Sequence, residues 1–436
     1  MKNEPWQLGV AQAARAIADR RLSPAELVRS LLERSERVER DVRAWARLAR
    51  DAALREAEAL GAEIARGRAR GPLHGVPIAV KDNVAVAGLE MNVGSPLMAG
   101  HVPASDAPLV RRLREAGAIV LGKTAMTEFA AMDPAPTRNP WNLAHTPGGS
   151  SSGSAAAVAA FLAPAALGTQ TAGSIVRPAA YCGVVGLKPT YGAVPRAGVF
   201  PCAWSMDHVG PLARSVEDAA LVFRVLAGRR AAAGAGGAAR VGVADRYFMD
   251  QADADTQRAF EAALQALSGA GAELVPTRLP KSFEAGVDAG VVTMYCEMAA
   301  VHRERFAAQR ERFGWKLACL LEAGAAVGAA DYLRAQQIRA IAAAELSDAL
   351  RGLDCLATPA TPAPAPRGLG ATGDWTLNLP FSSSGHPTLA VPVGLSGAGL
   401  PIGVQLAARH GGEALLFHCG ALLERAVAFT HEAGCQ

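Results

Sequence analysis

Lysine is scarce in this 436-residue chain: Lys2, Lys81, Lys123, Lys188, Lys281 and Lys316 are its only lysines among 44 basic residues. A lysine set in an apolar segment can lose its proton and act as a base, which an arginine cannot. Lys81 and Lys123 lie in such segments, after Gly75-Val76-Pro77-Ile78-Ala79-Val80 and after Ala118-Ile119-Val120-Leu121-Gly122. A base of this kind needs a hydroxyl to deprotonate, and hydroxyls crowd two stretches. One is Gly148-Gly149-Ser150-Ser151-Ser152-Gly153-Ser154; the other runs Gly168-Thr169-Gln170-Thr171-Ala172-Gly173-Ser174 and on to Arg177-Pro178. Small residues let a backbone approach a ligand closely, and free amides ahead of a helix start can cradle an oxyanion. On this ground alone, a glycine-serine loop of purely structural duty explains the same residues equally well.

Two familiar patterns match by letter and fail by context. Gly117 to Thr124 fits G-x-x-x-x-G-K-[ST], but its middle residues, Ala118-Ile119-Val120-Leu121, are the apolar interior of a strand, and a helix precedes them. Gly149-Ser150-Ser151-Ser152-Gly153 fits the nucleophile elbow G-x-S-x-G, yet the residues ahead of it, Asn142 to Gly148, form no hydrophobic strand. A Ser-His-Asp hydrolase also requires a placed histidine, and spacing singles out none of the nine.

Taken in order, the motifs resemble those of the amidase signature family. Thr146 to Ser154, Ala172-Gly173-Ser174 and Cys182 to Thr190 look like its glycine- and serine-rich signature. Gly75 to Asn83 resembles its G-V-P-[IV]-x-[VI]-K-D segment, Gly122 to Phe129 its G-K-T-x-x-x-E-F, and Gly399 to Leu406 its G-L-P-[IV]-G-[VL]-Q-[LI]. The resemblance covers nearly the whole chain. It implies an α/β amidase signature fold, a central mixed twisted sheet covered by helices on both faces. It also implies one catalytic domain over 1–436, with a signature core at about 70–225. A smaller helical and α/β part at about 240–350 then returns to the sheet at 351–436.

The resemblance further implies a catalytic triad of Ser174, Ser150 and Lys81, with a cis peptide at Gly149-Ser150. The separation of the two serines agrees with the family's spacing. Ser174 attacks the carbonyl, Ser150 passes its proton on, and Lys81, neutral in the free enzyme, receives it. The oxyanion is held by backbone N–H groups of Thr171, Ala172, Gly173 and Ser174, where one donor is commonly worth about 3–4 kcal/mol. Ser151 is expected to hydrogen-bond Lys81. Two residues depart from the family pattern. Many members have Asp two residues before the Gly-Gly of the oxyanion loop and Arg two after the nucleophile; here Gln170 replaces the acid and the arginine falls three after, at Arg177. Arg177 is expected to take a structural role, bonding Gln170 or a carbonyl.

By the same analogy Ala125, Met126, Phe129, Met132, Trp204 and Met206 line an apolar substrate pocket. The implied activity is metal-independent hydrolysis of a small aryl- or alkyl-substituted amide through a Ser174 acyl-enzyme, with esters and carbamates chemically accessible. No cofactor is implied, and the partner is a small-molecule substrate. The alternative is an amidase-like component of a glutamine-dependent amidotransferase.

These residues must be positioned by an α/β framework. Ser23-Pro24-Ala25-Glu26 is a capping box with proline at the first helical position, and Leu27, Val28, Leu31 and Leu32 follow on one face. Further helices are expected at about 52–66, 108–115, 155–162, 256–267, 292–312 and 331–350. Buried strands are expected at 75–83, 118–121, 241–243, 273–275, 355–357, 389–392 and 402–406. The stretch from Arg229 to Arg240, all Arg, Ala and Gly, reads as an exposed connection. About 50% hydrophobic and 19% charged residues suit a large packed core. A net charge of +4 gives no field for nucleic acid or an anionic membrane. Seven scattered cysteines without a C-x-x-C pair suggest neither a disulfide framework nor a zinc site, and a cytoplasmic monomer or homodimer is expected.

Overall fold

The computed structural model describes residues 4–228 and 238–434. Most of the Arg229–Arg240 connection therefore lies outside the described residues. Eleven strands form one mixed sheet: β1 Trp45–Leu48, β2 Pro77–Lys81, β3 Ile119–Thr124, β4 Ala165–Gln170, β5 Val185–Lys188, β6 His208–Ala213, β7 Arg240–Ala244, β8 Glu273–Thr277, β9 Cys355–Pro359, β10 Thr388–Leu395 and β11 Pro401–Ala407. Their order across the sheet is β1-β3-β2-β4-β6-β5-β10-β11-β9-β7-β8. β2 runs parallel to both β3 and β4, and β7 runs parallel to both β8 and β9. The other pairings are antiparallel. The fold is thus a large mixed α/β sheet flanked by helices.

Local chemistry accounts for the elements that matter to the site. The Pro24–Val42 helix starts where Ser23 accepts from Glu26 N–H and the Glu26 carboxylate accepts from Ser23 N–H, a reciprocal cap. Its buried face is Leu27, Val28, Leu31 and Leu32. β2, β3 and β4 are buried along their whole length, as strands covered on both faces must be. β3 continues through Gly122-Lys123-Thr124, so the P-loop-like string is strand and not a phosphate loop.

The Pro108–Glu115 helix lies where expected, and the β7-helix-β8 unit forms with its Ala254–Gly269 helix between parallel strands. The Phe283–Gln309 helix starts well before Val292, and a separate Trp315–Ala325 helix, not expected, packs against it. Both are rich in Ala and Gly and carry apolar residues around much of their circumference, so no clean amphipathic stripe marks them in sequence. β1, β4, β5 and β6 and the helices Val10–Ala18, Val176–Cys182, Val216–Ala227 and Glu413–Val427 are likewise additions to the expected elements.

Candidate active site

Two neighbouring parallel strands bring Lys81 and the turn that carries Ser174 to the same end of the sheet. Lys81 is the last residue of β2, and β4, in register with it, ends at Thr169-Gln170 before the turn that carries Ser174. Lys81 is wholly buried, and its ammonium nitrogen donates to Ser150 Oγ at 2.7 Å, to Thr169 Oγ1 at 2.8 Å and to the Thr169 carbonyl at 3.3 Å. Burial pulls its pKa down to about 7, against a smaller upward pull from Cys202 and Asp207. Loss of hydration disfavours the charged form.

Burial alone does not distinguish Lys81, because Lys123 and Lys188 are equally hidden. Lys123 is paired with Asp82 at 3.1 Å, and Asp82 also accepts from the amides of Asn92 and Val93. Lys188 donates to the carbonyls of His386 and Pro189. Of the three, only Lys81 faces a serine hydroxyl of the Gly-Ser run.

The three consecutive serines have three separate partners. Ser150, reached through a cis Gly149-Ser150 peptide, meets Lys81. Ser151 Oγ bonds the backbone of Thr169, donating to its carbonyl at 3.2 Å and accepting from its N–H at 3.3 Å. Ser152 Oγ donates to the Gly148 carbonyl at 2.7 Å as the Ser152–Ala159 helix begins. The expected Ser151–Lys81 bond is therefore replaced by Thr169, whose hydroxyl takes the lysine and also accepts from Asn83 Nδ2 at 3.1 Å. Nothing in the sequence marks Thr169, which reads as one more small residue in a Gly-Thr loop.

Ser151 N–H donates to the Ser174 carbonyl at 3.3 Å, tying the serine run to the turn after β4. Among the described residues no hydrogen bond joins Ser174 Oγ to Ser150; Ser174 borders a cavity instead. The turn itself is braced by Gln170. Its Oε1 accepts from Ile175 N–H at 2.7 Å and Val176 N–H at 3.0 Å, and its Nε2 donates to the Ala172 carbonyl and to Ser382 Oγ, both at 3.0 Å. Among the described residues, the amides of Thr171, Ala172, Gly173 and Ser174 donate to no backbone carbonyl of the loops and turns. A Cβ at Gly173 would crowd the Asn378 side chain, so glycine lets the turn lie close to it. Arg177 bonds carbonyls and not Gln170. It donates to Gly149 and to Gly373, each at 2.6 Å, so one buried guanidinium clamps the residue before Ser150 to a loop from the far end of the chain. Burial lowers its pKa to about 10, and it stays charged at neutral pH.

The cavity at Ser174 is small, about 30 Å³, and its walls include Met132, Cys202, Met294, Met298, Leu320 and Trp375. Of the six residues expected to line a substrate pocket, only Met132 borders it. Ala125, Met126, Phe129 and Met206 are packed in the interior, with Phe129 against Phe200, His302 and Phe313. Trp204 is 44% exposed and borders a separate groove of about 720 Å³ with Cys296, Ala299 and Tyr332. The residues missed, Met294, Met298, Leu320 and Trp375, lie far along the chain on helices and a loop that carry no local chemical signal.

The Amidase family model matches residues 26–417. The chain is 38% identical to a glutamyl-tRNA(Gln) amidotransferase subunit from Anaeromyxobacter sp. (strain K), over 97% of this chain and 96% of that protein. A crystal structure of an amidase superposes with a TM-score of 0.90 at 36% identity, covering 96% of this chain and all (100%) of the other. The peptide amidase from Stenotrophomonas maltophilia superposes with a TM-score of 0.85 at 32% identity, covering 99% of each chain. With its sheet, its ordered motifs and this match over nearly the full length, the chain belongs to the amidase signature family.

Proposed function

We propose that the chain cleaves a small neutral carboxamide through an acyl-enzyme on Ser174. The observation that carries this reading is the 2.7 Å contact between a fully buried Lys81 and Ser150 Oγ, with burial bringing the lysine to about 7. A lysine in that range is available as a base at neutral pH. As Ser174 Oγ bonds to the carbonyl carbon, its proton passes to Ser150 while the proton of Ser150 passes to Lys81. The carbonyl electron pair moves onto oxygen, facing the free amides of the Thr171–Ser174 turn. Collapse expels the amine, which takes its proton back through Ser150, and water then hydrolyses the ester by the reverse relay.

A second reading has its own support. The curated relatives are named as subunits of an amidotransferase, and by that likeness the chain releases ammonia from glutamine for a partner. These full-length relatives support the second reading more directly than the first, for which the cavity walls speak. Glutamine presents an ammonium and a carboxylate, whereas the lining holds one charged side chain, Arg177, with both terminal nitrogens already on carbonyls, and no carboxylate.

The test is hydrolysis of an aryl acetanilide, an aryl carbamate, an aryl ester, a primary amide and glutamine by the purified chain. Turnover of a neutral amide, with a loss of at least about 10³-fold in kcat for Ser174→Ala, is expected. Activity confined to glutamine, or appearing only with a co-purifying partner, would establish the second reading.

A further inference from the structure

Resting on the acyl-enzyme reading above, we propose that Asp207 is a positioning residue with two tasks: its carboxylate anchors the Thr171 hydroxyl at the head of the oxyanion turn, and its charge balances the cation that forms on Lys81. Neither sequence motif nor resemblance points to this residue. Asp207 is buried just before β6, the neighbour of β4. Its Oδ1 accepts from Thr171 Oγ1 at 2.6 Å, and the amides of Cys202 and Ala203 donate to the same carboxylate at 2.9–3.2 Å. Thr171 leads the four amides expected to face the oxyanion, and Cys202 borders the cavity at Ser174. One carboxylate therefore ties the turn to a cavity wall.

The charge argument begins with Lys81. A cation created in a fully buried site is costly unless an anion is near. Among the described residues Lys81 has no ion-paired carboxylate, and the two groups that pull its pKa upward are Cys202 and Asp207. Burial pushes the Cys202 thiol up to about 12, so it carries no charge at neutral pH. Lys81 is held on Thr169 and Asp207 on Thr171, two residues further along the same strand end, and Asp207 is left as the anion.

Burial also raises Asp207, to about 6, against the opposing pull of its Thr171, Ala203 and Cys202 donors and of Arg196. It is therefore ionised at pH 7 and above. The remaining neighbours do not supply the charge. Arg196 is a cation turned towards Trp204 O and Tyr191 OH. His208 is held neutral by burial. Glu297 is engaged by Ser205 N–H and Tyr332 OH on the helical side.

Asp207→Asn keeps an acceptor for Thr171 and removes the charge, whereas Thr171→Val removes the anchored hydroxyl and keeps the carboxylate, which is ionised on the alkaline side of the profile. Both are compared with wild type and Thr171→Ser in pH profiles of kcat/KM on an amide that the wild type turns over. Without the nearby anion the neutral form of Lys81 is favoured. The acid limb of Asp207→Asn is thus expected about one pH unit lower, with kcat reduced on the order of 10-fold or more and KM little changed. Thr171→Val is expected to lose kcat on the alkaline plateau, where Asp207 is still ionised, and Thr171→Ser to recover most of that loss by restoring the hydroxyl.

An Asp207→Asn profile that coincides with wild type, or a Thr171→Val enzyme with wild-type kcat, overturns the proposal. If Asp207→Asn does not fold, the two Thr171 variants decide the matter. Ser174→Ala separates the two levels. Its full activity defeats the acyl-enzyme reading, whereas an inactive Ser174→Ala beside an unperturbed Asp207→Asn defeats only the role of Asp207.

Discussion

At the scale of the residue, three buried lysines show how neighbours and not burial assign a task. Burial brings both Lys81 and Lys188 to about 7, yet one donates to a serine hydroxyl and the other to backbone carbonyls. The proposed relay needs Lys81 neutral. Its ammonium form accumulates as pH falls through about 7, so kcat/KM should drop roughly tenfold per pH unit below that point and level off above it. Lys81→Met should lose the limb along with most of the rate. Lys188→Met should keep the limb and lose stability instead, on the order of 1–3 kcal/mol, because buried carbonyls are left without a donor. A pH-rate profile and a melting curve for each variant check both halves; a shifted limb in Lys188→Met would show that the wrong lysine has been assigned. Lys81 is legible in sequence because it ends an apolar run in a chain poor in lysine. Thr169, which shares its ammonium, is not, since its role depends on β2 and β4 lying side by side.

At the scale of the element, the site is made where parallel strands end and helices from elsewhere close over them. β4 escapes a sequence reading because Ala-Ala-Leu-Gly-Thr-Gln shows neither alternation nor β-branched residues apart from Thr169. Strands buried on both faces lose the period that identifies them. The cavity walls are hidden for a related reason. Met294 and Met298 lie on the Phe283–Gln309 helix and Leu320 on the Trp315–Ala325 helix, and nothing local says which apolar residues face a cavity and which face a neighbouring helix.

These two helices meet at Gly324, where a Cβ would strike the Tyr295 carbonyl of the partner helix. Gly324→Ala should therefore push them apart, at a cost of about 1–3 kcal/mol, and displace Leu320 relative to Met294 and Met298. Thermal melting should show the loss of stability, and KM should change more than kcat because the relay on β2 and β4 is untouched. A fall in kcat at constant KM would place these helices in the chemistry itself.

At the scale of the whole molecule, the resemblance implies a signature core with a smaller part at about 240–350, and in the structure strands from both ranges lie in one sheet. β7 and β8 extend the same sheet through β9, which pairs with β11 from Val404↔Pro359 to Ala407↔Leu356. The principal apolar cluster runs from Val10 to Leu423 and includes Val241, Phe260, Met294 and Leu317 from this part. Opening it would bare one edge of β9 and uncover Ser174, since Met294, Met298 and Leu320 all come from there. We propose that the chain unfolds as one cooperative unit, even though proteins of this length often populate intermediates. In urea, loss of helical signal, loss of amide hydrolysis and the change in tryptophan emission should fall on one curve. The emission reports on the molecule as a whole, because the six tryptophans are spread from Trp6 to Trp375. If activity disappears at a lower denaturant concentration than the bulk of the helical signal, the smaller part opens by itself, and the site is shielded by a separable lobe rather than by a continuous core.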